Sequence, residues 1–152
     1  MKIGGVTPSR AHDVLILPRP DGDLIFKAQS VLSMEDFNAL CPRPSAPVKL
    51  TKNGKEENTD APSYLQEVAN WSNRRHAYIC IKSLEPSNIE WDTVKLDKAS
   101  TWENWMKDLE NGGLCSIEIQ RVQQVVIDAN SLNEGKLKEA RESFLLGQGI
   151  KA

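Results

Sequence analysis

The chain has 152 residues, a length that fits one domain or one domain with an appended helical part. Its 19 Lys and Arg residues against 21 Asp and Glu residues leave a formal charge of -2. This balance argues against a nucleic-acid-binding platform, since such domains are normally basic. No apolar run approaches the roughly 20 residues that span a bilayer, and the first residues lack the apolar core of a signal peptide. We therefore expect an intracellular protein.

The cysteines and histidines are few and widely spaced. Cys41, Cys80 and Cys115 are odd in number and form no CxxC pair, so neither a disulfide framework nor a zinc site is indicated. The only histidines are His12 and His76. We expect no metal and no cofactor.

The first confident element is an antiparallel β-hairpin. Residues 13–17 form a compact apolar run that Pro18 ends, and residues 24–28 form a second run. The turn between them, Pro20-Asp21-Gly22-Asp23, combines a proline that pre-sets one dihedral angle with a glycine that tolerates positive φ. The residues before His12 are a small, polar lead-in.

A short helix and a proline-rich stretch follow. Ser33 can cap a helix that turns Phe37 and Leu40 inward until Cys41-Pro42 breaks it. Pro42, Pro44 and Pro47 then predict a stiff, extended stretch, and the polar residues 51–58 predict a turn. We interpret residues 42–59 as a flexible loop. The alternative is a hairpin centred on Asn53-Gly54.

The middle of the chain predicts a helix followed by a strand. Asp60-Ala61-Pro62 is typical of a helix start, and the helix is expected to end near residues 74–76, with one face formed by Leu65, Val68, Ala69 and Ser72. Residues 77–84 are apolar almost without alternation, which predicts a central β-strand. Residues 89–94 predict either a short edge strand or an extended connector.

Three short helices are predicted between residues 100 and 147. The first, capped by Ser100 or Thr101 and stopped at residues 111–113, carries Trp102, Trp105, Met106 and Leu109. The second, with Ser116 as candidate cap and an end near Asn130, places Ile119, Val122, Val125, Val126 and Ala129 together. The third, capped by Asn133, is expected to bury Leu137, Ala140, Phe144 and Leu145.

These elements predict an α+β fold, with a small antiparallel sheet covered by helices and a C-terminal three-helix region. We divide the chain into an α+β domain at residues 1–99, which contains the loop 42–59, and a helical region at residues 100–152. The helical region is expected to pack on the first domain as one unit.

Catalytic and ion-binding patterns are weak. His12 and His76 lie at the edges of predicted elements, and Cys80 is expected to fill core. Turn geometry accounts for Asp21 and Asp23, and the cluster at residues 74–76 complements a helix C-terminus. Neither Gly4-Gly5 nor Gly112-Gly113 matches a phosphate-binding loop. We therefore expect no catalytic residue.

The tryptophans indicate a binding surface. Three of the four, Trp91, Trp102 and Trp105, fall within fifteen residues of one another. Either they wedge the sheet and the helices together, or one of Trp102 and Trp105 is exposed and anchors a partner, since tryptophan dominates interface hot spots. With Pro42, Pro44 and Pro47 they are our candidate partner-binding residues.

Four segments resemble small morphogenesis proteins of tailed bacteriophages, most closely the tail assembly chaperones of long-tailed phages. They are residues 86–94 (PSNIEWDTV), 101–105 (TWENW), 129–132 (ANSL) and 136–145 (KLKEARESFL), with a weaker likeness at residues 17–23 (LPRPDGD). The resemblance implies a non-enzymatic protein without catalytic residues, which binds tape-measure or tail-tube subunits and can self-associate. The β-rich first half departs from the more helical members of that family.

The resemblance therefore predicts a phage protein that binds other phage proteins during tail assembly, in the host cytoplasm, through its C-terminal helices and the loop 42–59. The alternative is a structural virion protein, such as a neck, tail-completion or capsid-associated subunit. A small enzyme or an inhibitor of host defence is a third possibility.

Overall fold

The computed structural model describes residues 1–149, and they form the expected α+β fold. The strands β1 to β4 comprise His12–Leu17, Leu24–Gln29, Val48–Thr51 and Gly54–Glu57, paired as two antiparallel hairpins. The helices α1 to α5 comprise Glu35–Leu40, Pro62–Ser83, Trp105–Asn111, Ser116–Ala129 and Glu134–Gly147. Short 3-10 helices occupy Glu85–Ser87 and Ala99–Asn104. No helix within residues 1–149 is both long enough and apolar enough to cross a membrane.

The chain folds into two compact units that interleave along the sequence. The first contains residues 1–31 and 83–89 and the part from residue 115 onward, and the second contains residues 32–82 and 90–114. This division differs from the predicted boundary between residues 99 and 100, which lies inside the second unit. The reason is the packing of Trp102, which contacts Phe37 and Tyr78 of the second unit and so joins the residues after 99 to much earlier elements.

The core of the first unit lies between the β1–β2 hairpin and α4. The strands pair in the register Leu15 with Phe26 and Leu17 with Leu24, and Leu17, Phe26 and Ala28 are buried. Helix α4 packs on both strands. Its buried residues are those that the helical period predicted, namely Ile119, Val122, Val125, Val126 and Ala129. The predicted hairpin and the predicted second C-terminal helix are therefore confirmed.

An ion pair fixes the start of α4 to the hairpin turn. Arg19 Nη2 donates hydrogen bonds to both carboxylate oxygens of Glu118, at 2.8 and 2.7 Å. The same carboxylate accepts a hydrogen bond from the Cys115 amide, so Cys115, and not the predicted Ser116, is the N-cap residue. The hydrogen bond from Arg19, followed by that from the Cys115 amide, lowers the pKa of Glu118. In this capping-box arrangement, a glutamate at the third helical position accepts a hydrogen bond from the backbone amide of the N-cap residue, here Cys115.

The end of α4 contains a non-glycine residue in the left-handed conformation. Ser131 has φ of 55°. The Leu132 amide donates to the Ile127 carbonyl at 3.0 Å and the Ser131 amide donates to the Asp128 carbonyl at 3.4 Å. This pair of hydrogen bonds is a Schellman motif, in which glycine usually occupies the position that Ser131 holds here.

We expect Ser131→Gly to raise the free energy of unfolding by about 1 kcal/mol, because a side chain in the left-handed region costs roughly that amount. Urea unfolding of the two proteins measures the difference. Ser143→Gly is the matched control, since Ser143 lies inside α5 and glycine there should cost about 0.5 to 1 kcal/mol. Destabilisation by both substitutions would contradict the expectation.

In the second unit, α2 is longer than predicted. The strand predicted at residues 77–84 is wrong, because α2 continues through this run to Ser83. Ala77, Tyr78, Ile79, Cys80 and Ile81 are all buried. A helix surrounded by core needs apolar residues on every side and therefore loses the helical period, so such a run cannot be told from a buried strand by its pattern. No glycine or proline interrupts residues 63–83.

The first predicted C-terminal helix is a 3-10 helix followed by α3. Trp102, Trp105 and Leu109 are buried as the pattern predicted, whereas Met106 is exposed. The helix ends in a Schellman motif in which Gly113 has φ of 106°. The Leu114 amide donates to the Leu109 carbonyl and the Gly113 amide to the Glu110 carbonyl. The predicted glycine stop is therefore confirmed. Residues 89–94 form a connector without strand pairing, as one of the two alternatives predicted.

Candidate functional site

Trp102 and Trp105 do not form an exposed anchor. Their relative exposures are 0% and 1%, so the alternative in which one of them is exposed as a partner anchor is wrong for the folded chain. The ring of Trp102 lies 5.9 Å from that of Phe37 and 5.1 Å from that of Tyr78, and its Nε1 donates to the Leu96 carbonyl at 3.1 Å. The Trp102 indole therefore packs in an aromatic cluster with side chains of α1 and α2, and it is not exposed to a partner.

The proline-rich segment is anchored at its start. Trp71 Nε1 donates a hydrogen bond of 3.1 Å to the Cys41 carbonyl, and the Arg43 guanidinium lies 5.4 Å from the centre of the Trp71 ring. Pro42 and Pro47 are exposed, and Pro44 is half-buried. A cavity of about 320 Å³ lies at this segment, lined by Cys41, Pro42, Pro44, Glu67, Asn70, Trp71 and Arg74. The tryptophan beside the candidate prolines is thus Trp71, which was not among the predicted partner-binding residues.

Beyond Pro47 the chain forms the hairpin that was the alternative to a flexible loop. Val48 pairs with Glu57 and Leu50 with Lys55 across β3 and β4, and the Asn58 amide donates to the Pro47 carbonyl at the base. We call residues 42–59 the hairpin arm. Leu50 is 82% exposed and Val48 is also exposed, so the arm presents two aliphatic side chains on one face to solvent. Alternation along a strand places Lys49 on the opposite face.

The last helix presents a second apolar surface. The predicted buried stripe of Leu137, Ala140, Phe144 and Leu145 is wrong, since no residue of α5 is buried and Leu145 alone of the four is half-buried. Phe144 is 64% exposed. The N-cap was predicted correctly, because the Asn133 side chain accepts the Lys136 amide at 3.1 Å. An amphipathic pattern predicts the helix and its apolar face, but it does not say whether the same chain covers that face.

We expect Phe144→Ala to lower the free energy of unfolding by less than about 1 kcal/mol, because most of the ring is already in water. Ile119→Ala is the matched control on α4, where a buried aliphatic side chain is lost and about 2 to 5 kcal/mol is expected. Chemical denaturation of both variants measures the two values. A loss of 3 kcal/mol or more for Phe144→Ala would show that this ring belongs to the core.

A histidine and a cysteine lie together on α2. Cys80 Sγ is 3.7 Å from His76 Nε2, one helical turn away. Cys80 has 0% exposure, and burial raises the pKa of its thiol to about 12. Attack on a substrate requires a thiolate, so a thiol that stays protonated at neutral pH is a poor nucleophile. Cys80 fills core as predicted, although on a helix and not on a strand.

The remaining ion-binding candidates have structural partners or open surroundings. Arg74 forms an ion pair with Glu103 at 3.5 Å. The prediction that residues 74–76 lie at a helix C-terminus is wrong, because α2 continues to Ser83. Asp21 and Asp23 are exposed on either side of Gly22, whose φ is 131°. No group of three or more His, Cys, Asp or Glu side chains within residues 1–149 is arranged to hold a metal ion.

Comparisons of the chain with known protein families, with curated proteins and with solved structures found no match in any of the three. The resemblance to phage tail assembly chaperones therefore rests on the segments named above and stays a prediction.

Proposed function

We propose that this chain is a non-enzymatic bacteriophage protein that binds other phage proteins during tail assembly, as a tail assembly chaperone does. The observation that carries the proposal is the hairpin arm, where Val48 and Leu50 are exposed side by side. The four segments that resemble such chaperones supply the biological setting, with tape-measure or tail-tube subunits as the partners.

The hairpin arm has the physical properties of a docking element. A two-stranded hairpin is marginally stable on its own in water, so a partner that covers its apolar face also orders it. Full burial of a valine or leucine side chain contributes about 1.5 to 3 kcal/mol relative to leaving it in water. The hydrogen bond from Trp71 to the Cys41 carbonyl fixes the chain just before the arm begins. Less conformational entropy is therefore lost when the arm binds a partner.

Co-expression with tail-tube and tape-measure proteins, followed by affinity capture, tests the proposal. The double variant Val48→Ser, Leu50→Ser should reduce captured partner by about tenfold or more while leaving the melting temperature almost unchanged, since both side chains are exposed. Lys49→Ser, on the opposite face of the same strand, is the control and should retain capture. Equal capture by all three proteins would refute the assignment to the arm.

The exposed face of α5 favours a second candidate, a structural virion protein. Leu137 and Phe144 lie about two turns apart on the same face of α5, and both are exposed. Permanent neighbours in a neck, tail-completion or capsid-associated position would cover such a face throughout the life of the particle. Mass spectrometry of purified virions separates the two candidates, because an assembly chaperone leaves before the particle is complete and a structural subunit stays at fixed copy number.

A further inference from the structure

A mainly apolar cavity of about 420 Å³ lies beside α1 in the second unit. It is lined by Asp36, Ala39, Leu40, Tyr78, Leu96 and Asp97. This volume is within the range of pockets that bind small ligands or single side chains of a partner, and such pockets usually combine apolar walls with a few polar groups. None of these residues belongs to the hairpin arm.

The walls of the cavity are held by the core. Tyr78 is buried in the aromatic cluster, and the Leu96 carbonyl accepts the hydrogen bond from Trp102 Nε1. On α1, Asp36, Ala39 and Leu40 have the spacing that places residues on a single face of a helix. The cavity is therefore formed before a ligand arrives, which lowers the entropy lost on binding.

The two carboxylates in the lining determine what the cavity can accept. Asp36 and Asp97 are exposed, and neither has a Lys, Arg or His partner within 4.0 Å among residues 1–149. Lys95 and Lys98 flank Asp97 in the sequence, but neither lines the cavity. A cation with an aliphatic stem fits both the apolar walls and the two carboxylates of the cavity. Its stem can lie along Leu40 and Leu96 while its charged end stays near the carboxylates and water.

We propose that this cavity binds a basic side chain, arginine or lysine, of a partner polypeptide. The proposal rests on the proposed function in that the chain binds other proteins, and it adds the chemistry of one contact. Arginine suits the site best, because its planar guanidinium presents several N–H donors in a geometry that matches a carboxylate. The attraction is partly screened by salt, because both carboxylates are solvent-exposed.

Nuclear magnetic resonance titration with n-butylguanidinium and with the neutral isostere n-butylurea tests the chemistry. The cation should give saturable shifts of the Leu40 and Leu96 signals and bind about tenfold more tightly than the urea, with weaker binding at higher salt. Asp36→Asn and Asp97→Asn together should remove most of this preference, whereas Asp21→Asn, at an exposed position outside the cavity, should keep it. Equal binding of cation and urea would overturn the proposal.

The peptide Ac-Gly-Arg-Gly-amide identifies the source of the cation. It should shift the same signals at least as strongly as n-butylguanidinium, and binding of the small cation without the peptide would overturn the assignment to a polypeptide. The titration needs no phage protein, so its failure leaves the hairpin arm proposal standing. Loss of capture in the arm variants, in turn, leaves the cavity result unchanged.

Discussion

Replacing Trp102 with alanine should lower the free energy of unfolding by about 3 to 5 kcal/mol, the range for large-to-small aromatic substitutions in a core. The indole has no exposed surface and packs against the rings of Phe37 and Tyr78, which also contact each other. Its removal opens a cavity in the second unit and leaves the Leu96 carbonyl without its hydrogen-bond donor. Urea unfolding followed by far-ultraviolet circular dichroism measures the change.

The control is Trp91→Ala, at a half-buried position, which should cost roughly half as much or less. A loss below about 1.5 kcal/mol for Trp102→Ala would contradict the central role of this ring. Because the binding that we propose for the hairpin arm does not involve Trp102, the same variant should lose partner capture only in proportion to the unfolded fraction.

Replacing Asp108 with asparagine should cost about 2 to 4 kcal/mol at neutral pH, because a nearly buried carboxylate that accepts several hydrogen bonds is replaced by a neutral amide. Asp108 is 7% exposed. It accepts the Thr93 amide at 2.9 Å, the Thr93 hydroxyl at 2.7 Å and the Val94 amide at 3.2 Å. The carboxylate thereby holds the connector at residues 93 and 94 against α3.

The effect of Asp108→Asn should depend on pH. Burial by itself would raise the pKa of Asp108, but the hydrogen bonds from Thr93 and Val94 outweigh it and lower the pKa below the ordinary value of 3.8. A carboxyl group with a lowered pKa stabilises the fold above the unfolded-state pKa and loses that contribution as the pH falls through the folded-state pKa. The difference between the two proteins should therefore be greatest near neutral pH and shrink below about pH 4.

Unfolding measured from pH 7 to pH 2.5 checks this dependence. Glu110→Ala on the same helix is the control, since the ion pair of Glu110 with Lys107 is solvent-exposed and should contribute less than about 1 kcal/mol. A difference that stays constant or grows as the pH falls would show that the hydrogen bonds of Asp108 do not depend on its charge.

Local chemistry was sufficient to predict several elements from the sequence alone. The hairpin of β1 and β2 followed from two apolar runs around Pro20-Asp21-Gly22-Asp23, and its strands lie within one residue of the predicted bounds. Helix α4 and its buried face followed from the helical period, and the start of α5 followed from Asn133. In these places the residues that decide the structure are within a few positions of one another, so the pattern is complete in the sequence.

Tertiary contacts decided the rest, including the candidate site. Residues 77–81 are all apolar and all buried in the second unit, and this burial, not their pattern, makes them part of α2. No local pattern indicates the role of Asp108, because the backbone amides that donate hydrogen bonds to it lie 14 and 15 positions away. The amphipathic patterns of Trp102 and of Phe144 are alike, yet one ring is covered by α1 and α2 and the other faces water. Periodicity determines which face of a helix is apolar, whereas only the packing of distant residues determines whether the chain itself covers that face or leaves it for a partner.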